Sequence, residues 1–308
     1  MENKMMWSCM IQLGMRMWTK HTGREDLEFD RNVWHDVTEK LAECGCNNIV
    51  LDIGEGLIYD SHPELAAKGA YTKDEMRAEI ERLKGLGIEI VPKLNFSTCH
   101  NMWMGKYTRM VSSDEYYRFC EELIDETCEL FKPRFFHLGM DEENWELCKN
   151  YDYVVIRQND LWWHDLYHIV DRTEKNGARA VIWADYARHR PEEFVEKLPK
   201  SVIPSVWYYF MEFDNFSEEK YRIRVMPFGV CEEHGFDQFP AGSNLYHREN
   251  LEALTKYCQA NISSEHLLGI MQTPWLATIE EYRENLYQAA ETIRESRAAF
   301  EAAIAENK

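Results

Sequence analysis

Three consecutive acidic residues, Asp141, Glu142 and Glu143, directly follow the apolar run FFHLGM. Like charges this close repel one another and raise the pKa of at least one carboxyl, which a general acid at neutral pH requires. Three carboxylates beside a pocket are also costly to desolvate, which favours a role for them in chemistry. The alternative is that they cap the loop or helix that follows. The run therefore predicts an acid–base site.

Three tryptophans, Trp183, Trp207 and Trp275, lie in or just after other apolar runs. Aromatic rings offer flat apolar faces with polar edges, which suit stacking on sugar rings. If the three runs end at the same side of the fold, the rings form an aromatic cage for a pyranose. The alternative is that each ring seals the top of the hydrophobic core.

Other polar and aromatic residues stand at the ends of the same runs and complete the set of candidate substrate-binding residues. They are Arg16, Asn95, His100, Trp103, His137, Asp185, Tyr209 and Asp237.

A metal site is the main chemical competitor. His100, His137, His189 and His234, together with the acidic residues, could supply ligands. None of these histidines belongs to a His-Glu-x-x-His motif, so each is better interpreted as a hydrogen-bonding or surface residue. We expect neither a metal nor another cofactor.

The elements that would position these residues alternate along the whole chain. Predicted strands cover 6–13, 48–54, 88–95, 134–140, 179–185, 202–209, 224–231 and 267–273. Predicted helices cover 31–44, 72–86, 113–131, 156–176, 190–198, 216–222, 247–261 and 277–305. Such alternation is typical of a parallel sheet with crossover helices. Eight strands with eight helices predict one α/β domain over residues 1–308, a (β/α)8 TIM barrel, whose active site lies at the carboxyl ends of the strands.

Composition limits the partners. The chain has 35 basic and 54 acidic residues, a formal net charge of −19, which disfavours nucleic acids and anionic membrane surfaces. No apolar run is long enough to span a membrane. The nine scattered cysteines are typical of a reducing compartment. No signal-peptide pattern opens the chain, so we expect a cytoplasmic protein that acts on a small glycoside or oligosaccharide.

The segment His137-Leu138-Gly139-Met140-Asp141-Glu142 resembles the His-x-Gly-Gly-Asp-Glu motif of family 20 glycoside hydrolases, the β-N-acetylhexosaminidases. Other strand ends support the resemblance in the expected order. They are PKLN followed by His100, VIWAD at 181–185, SVW at 205–207 and TPW at 273–275.

The resemblance implies a retaining, exo-acting enzyme without an enzymic nucleophile, an exception to the usual pair of carboxylates. In this scheme the 2-acetamido oxygen of the substrate attacks the anomeric carbon. Glu142 would act as general acid and base, and Asp141 would orient the acetamido group. His100 would lie near the acid pair and tune the acidity of Glu142. Since neighbouring residues of a strand face opposite ways, the chain must bend for both acids to reach one pocket.

The chain departs from the family pattern at several positions. Lys93 stands where the family carries Glu, Asn95 where it carries Asp, and Met140 replaces the second glycine of the motif. One extra residue precedes His100. These changes leave the acid pair in place and identify a divergent member of the family.

Two sugar-binding features of the family are also missing. No acidic residue follows Trp275, and the strand-seven Asp-x-Tyr is not evident, although Asp237 or Tyr246 could substitute. Three alternatives therefore stay open: a glycosidase for a sugar without an acetamido group, a metal-dependent sugar isomerase or epimerase, and a carbohydrate-binding protein. The long amphipathic helix at 277–305 is expected to pack on its own barrel, and a homo-oligomer is the alternative.

Overall fold

The computed structural model describes residues 5–17, 25–149 and 151–306. The strands are β1 Met6–Gln12, β2 Asn48–Asp52, β3 Glu89–Lys93, β4 Phe135–His137, β5 Arg179–Trp183, β6 Ile203–Ser205, β7 Ala241–Gly242 and β8 Gly269–Gln272. The α-helices are α1 Arg31–Glu43, α2 Lys73–Gly85, α3 Asp114–Phe131, α4 Trp145–Cys148, α5 Asp160–Lys175, α6 Pro191–Lys197, α7 Glu219–Glu233, α8 Asn250–Asn261 and α9 Arg283–Glu306.

The strands form one parallel sheet in the order β6-β5-β4-β3-β2-β1-β8-β7. A parallel bridge between Trp207 and Ala241 joins the two ends of this order. The Tyr208 amide donates to the Ala241 carbonyl at 3.0 Å, and the Ala241 amide donates to the Val206 carbonyl at 2.9 Å. These bonds close the sheet, and the prediction of a (β/α)8 TIM barrel is confirmed.

Side chains of β1 show how the barrel divides its core. Met6 and Met10 belong to a small cluster inside the barrel, whereas Trp7, Cys9 and Ile11 belong to the larger layer between strands and helices. This alternation follows from the two-residue period of a strand. Apolar side chains on both faces explain why most strands read as continuous apolar runs.

The predicted seventh strand is wrong. Residues 224–231 lie inside α7, and the seventh strand is the two-residue segment Ala241–Gly242. Val225, Phe228 and Cys231 are buried at intervals of three, which is the spacing of one helix face. A short apolar run does not distinguish a strand from a buried helix by its periodicity.

Local signals place several helix ends correctly. Thr72 and Glu75 form both halves of a capping box at the start of α2. Gly45, Gly87 and Gly177 have φ angles of 84°, 77° and 82°, the left-handed geometry that ends α1, α2 and α5. Among the described residues, no helix combines the length and apolarity that crossing a membrane would need.

Candidate active site

The loop after β4 turns sharply at the acidic run. Gly139, Met140 and Glu142 have φ angles of 71°, 72° and 55°. Non-glycine residues rarely adopt such values, and they concentrate at functional sites. The bend lets the consecutive side chains of Asp141 and Glu142 line one cavity. Gly139 has no substitute here, because a Cβ would overlap Oδ1 of Asn95.

Asp141 is held as a carboxylate. Its Oδ1 accepts a hydrogen bond of 2.9 Å from Nδ2 of Asn95, and its Oδ2 lies 3.4 Å from Nε2 of His100. Burial by itself would raise the pKa of Asp141. The charge of His100, assisted by Lys93 and the Asn95 hydrogen bond, outweighs burial and holds that pKa well below its usual range.

His100 bridges the two acids. Its Nε2 lies 3.3 Å from Oε2 of Glu142 as well as 3.4 Å from Oδ2 of Asp141. Burial opposes the charged imidazolium, but Asp141, with a smaller contribution from Glu142, outweighs burial and raises the pKa of His100 to about 10. The imidazole is therefore protonated at neutral pH and donates toward both acids.

Asp185 supports Glu142 from the other side. Its Oδ2 accepts a hydrogen bond of 2.9 Å from the backbone N–H of Glu142, which fixes the bent backbone. Burial raises the pKa of Asp185 to about 6. Asp141 and Glu142 add to this rise, and the positive charge of Arg188 opposes it. Asp185 thus holds the loop from behind and contributes charge to the site.

Glu143 has a different partner. Its buried carboxylate accepts from Nε and the backbone N–H of Arg157, both at 3.1 Å, and from the backbone N–H of Thr98 at 3.1 Å. Arg157 also forms an ion pair of 3.0 Å with Asp165. The third acid therefore anchors the loop, while the first two face the cavity.

An aromatic wall closes a cavity of about 610 Å³ beside the acids. The rings of Trp183 and Trp275 lie 6.0 Å apart, and Trp207 stacks on Tyr209 at 5.1 Å. Nε1 of Trp275 donates to the Tyr209 hydroxyl at 3.0 Å. The structure thus brings together the three tryptophans that the sequence suggested for a sugar-binding cage, along with Tyr209, Asn95 and His100.

Five of the predicted binding residues do not line this cavity, and Asp185, described above, is one of them. His137 lies beneath it, where Nδ1 accepts from the Gly139 N–H at 3.1 Å and the ring packs on Trp183. Trp103 packs in the outer core and donates to the Asn95 carbonyl at 3.1 Å.

Arg16 and Asp237 are placed elsewhere by the chain path. The Arg16 guanidinium donates to the Glu25 carbonyl at 3.1 Å. Asp237 pairs with Arg179 at 2.7 Å, at the amino-terminal end of β5 and so at the opposite end of the barrel. The choice of Asp237 depended on the misplaced seventh strand and is wrong.

Other residues of the wall were not predicted from the sequence. They are Met15, Met17, Glu28, Phe210, Arg224, Leu245, Leu276, Ala277 and Tyr282, with Tyr246 named only as a substitute. Glu28 reaches the cavity because Phe29 forms a parallel bridge with Thr278, next to the β8 loop. No local motif marks Glu28, which lies in the long connection between β1 and α1.

Among the described residues, His100, Asp141 and Glu142 form a group that could hold a metal, since their ligand atoms lie within 4.8 Å of one another. A cation there would compete with the proton on Nε2 of His100. The same three residues suit a proton-transfer site without a metal.

The chain resembles known proteins over the segment that carries this site. The model of the glycosyl hydrolase family 20 catalytic domain matches residues 89–290. The lacto-N-biosidase of Bifidobacterium bifidum is 23% identical over 117 residues, which are 33% of this chain and 10% of that protein.

Solved structures agree in fold. A β-N-acetylhexosaminidase from Bacteroides fragilis has a TM-score of 0.63 and 15% identity, covering 94% of this chain and 65% of the other. The β-N-acetylhexosaminidase of Streptomyces coelicolor gives 0.65 and 14%, covering 98% and 70%. An exo β-N-acetylglucosaminidase from Vibrio harveyi gives 0.61 and 15%, covering 97% and 57%. The chain thus spans a tenth of the curated relative and less than two thirds of two of these structures.

Proposed function

Because the chain belongs to glycosyl hydrolase family 20, we propose that it is a retaining exo-glycosidase that removes a terminal 2-acetamido sugar by substrate-assisted catalysis. The observation that carries the proposal is the bend that brings Asp141 and Glu142 onto one cavity wall, with Asp141 ionised and an aromatic wall beside them.

In this mechanism the terminal sugar occupies the aromatic cavity, with its apolar ring faces against Trp183, Trp207 and Trp275. Asp141 accepts a hydrogen bond from the acetamido N–H and turns the acetamido oxygen toward the anomeric carbon. An intramolecular nucleophile held in this way has a high effective concentration.

Glu142 serves as the general acid. Its side chain is 32% exposed and lines both the aromatic cavity and an adjoining cavity, so the carboxyl stands where the scissile bond would lie. Glu142 gives its proton to the glycosidic oxygen as the acetamido oxygen bonds to the anomeric carbon and the leaving group departs. The carboxylate of Asp141 stabilises the positive charge of the oxazolinium intermediate.

The second step reverses the first. Glu142, now a carboxylate, takes a proton from water, whose oxygen attacks the anomeric carbon and displaces the acetamido oxygen. Two inversions at that carbon give net retention. His100 keeps its proton throughout, since its pKa is raised to about 10, and it holds Asp141 as an anion.

The test is hydrolysis of matched aryl glycosides with and without a 2-acetamido group, with and without a chelator. Wild type should release the aryl group from the acetamido substrates only, and Glu142→Gln should lose about 100- to 10,000-fold in turnover while still binding. Glu129→Gln, an exposed acid on α3, is the matched control. Full activity in Glu142→Gln would refute the assignment.

Two other outcomes separate the alternatives. Cleavage of substrates that lack the acetamido group would keep the acid and reject the acetamido role of Asp141. Activity that disappears with the chelator and returns with a divalent ion would favour the metal-dependent alternative at His100, Asp141 and Glu142.

A further inference from the structure

A second cavity, of about 560 Å³, lies on the other side of Glu142. It shares Glu142 and Arg224 with the aromatic cavity, and Arg188, Arg190 and Trp145 are among its other lining residues. If the terminal sugar occupies the aromatic cavity, a leaving group bonded to it across Glu142 enters this second cavity.

Two arginines in this wall form no ion pair with any acidic residue that the structure describes. Within the described parts of the chain, neither Arg188 nor Arg224 has a carboxylate oxygen within 4.0 Å. Arg190, in the same wall, pairs with Glu193 at 3.4 Å. The chain has 54 acidic and only 35 basic residues. Two arginines without an ion pair in one described cavity wall are therefore unexpected.

Arg188 is fixed in place but incompletely satisfied. Its guanidinium lies 3.6 Å above the Trp207 ring, and Nη2 donates to the Trp207 carbonyl at 3.1 Å. Its buried Nε has no hydrogen-bond partner among the described residues. Arg224 donates from Nη1 to the Lys220 carbonyl at 2.8 Å, which leaves the rest of its fork available.

The two positive charges act on each other. Burial lowers the pKa of Arg188, and the neighbouring Arg224 lowers it further, in spite of the opposing effect of Asp185. An anion between the two guanidinium groups would relieve this repulsion and use their planar donor geometry, which matches carboxylate and sulfate oxygens.

We infer that the leaving group carries an anionic substituent, a carboxylate or a sulfate ester, which Arg188 and Arg224 bind in the second cavity. The inference rests on the proposed function. Arg188 lines the second cavity and not the aromatic one, which places the anion on the leaving group rather than on the terminal sugar.

The test compares disaccharides that share a non-reducing N-acetylglucosamine. The reducing sugar is glucose, glucuronate or glucose 6-sulfate, and a fourth substrate carries sulfate on the terminal sugar instead. The acidic leaving groups should raise kcat/KM about 10- to 100-fold over glucose, the range expected for charge-assisted hydrogen bonds. Comparison of the glucuronate and glucose 6-sulfate substrates shows whether the site binds a carboxylate or a sulfate ester.

Variants assign the preference to the arginines. Arg224→Met and Arg188→Met should bring the acidic-to-neutral ratio of kcat/KM toward one. Arg222→Met is the matched control, because Arg222 is exposed on the same helix and pairs with Glu219. That variant should keep the wild-type ratio.

A ratio near one in wild type, a ratio unchanged in both variants, or a preference for sulfate on the terminal sugar would overturn the inference. If no disaccharide is cleaved, the proposed function fails separately. Equilibrium binding of glucuronate and glucose then decides the matter. Tighter binding of glucuronate that is lost in Arg224→Met supports the anion site, and equal binding of the two overturns it.

Discussion

Replacement of His100 by glutamine removes the cation that stands between Asp141 and Glu142. Glutamine can still donate a hydrogen bond, so the change isolates the charge. In the folded protein the carboxyl groups of Asp141 and Glu142 lie 3.4 and 3.3 Å from Nε2, and against the effect of burial they raise the pKa of His100 to about 10. A histidine in an unfolded chain has a pKa of about 6.5.

The sign of the pH effect follows from these two values. Between about pH 6.5 and the folded-state pKa of about 10, the folded protein holds a proton that the unfolded chain has released. The stabilisation is therefore complete below about pH 6.5 and is lost as the pH rises toward 10. Since one pKa unit corresponds to about 1.4 kcal/mol, the full effect is on the order of 5 kcal/mol.

The assay is urea unfolding of wild type and His100→Gln at intervals between pH 6 and 10. Other groups titrate in both proteins, so the difference between their unfolding free energies reports the histidine. That difference should fall by about 1.4 kcal/mol per pH unit between about pH 7 and 9. Parallel curves over this range would refute the charged state of His100 and, with it, the explanation for the low pKa of Asp141.

Gly139→Ala should destabilise the fold by about 2 kcal/mol or more, because φ is 71° there and a Cβ would overlap a neighbouring side chain; thermal unfolding against wild type checks this. Lys93→Met should cost about 3–5 kcal/mol, since it leaves Asp52 as an unpaired buried charge. The double variant with Asp52→Leu should recover much of that loss in a double-mutant cycle, and strict additivity would contradict the pairing. Trp275→Phe removes the hydrogen bond to Tyr209 and should raise KM about fivefold. An unchanged KM would show that the Trp275 N–H does not organise the sugar-binding wall.

The barrel could be predicted from the sequence because seven of its strands are apolar runs bounded by recognisable helix signals. The capping box at Thr72 and the left-handed Gly45, Gly87 and Gly177 illustrate this local consistency. The prediction of the seventh strand failed because Ala241–Gly242 is only two residues long, whereas the more apolar run before it forms part of α7.

The acids and tryptophans of the cavity were predictable because each stands at or just beyond the carboxyl end of a strand. Glu28 was not, since a long connection carries it to the cavity and only the pairing of Phe29 with Thr278 fixes its position. Arg224 was missed because its helix was assigned as a strand. These residues depend on tertiary contacts between distant segments, which leave no local pattern.

Lys93 shows how one departure from the family pattern is accommodated. It is fully buried and pairs with Asp52 beneath the site, rather than lining the cavity. Its positive charge contributes to the low pKa of Asp141. Burial is the main cause of the lowered pKa of His137, and the charge of Lys93 lowers that pKa further. Lys93 therefore acts on the electrostatics of the site from below, without entering the cavity.

The most direct test of the proposed mechanism is the rate with substrates whose acetamido group carries none, one, two or three fluorine atoms. Fluorine withdraws electrons from the acetamido oxygen and weakens it as a nucleophile without changing the sugar or the leaving group. If that oxygen attacks the anomeric carbon, the kcat/KM of the wild-type protein should fall steeply with each added fluorine. A rate that does not change across the series would contradict substrate assistance and leave Asp141 without its proposed role.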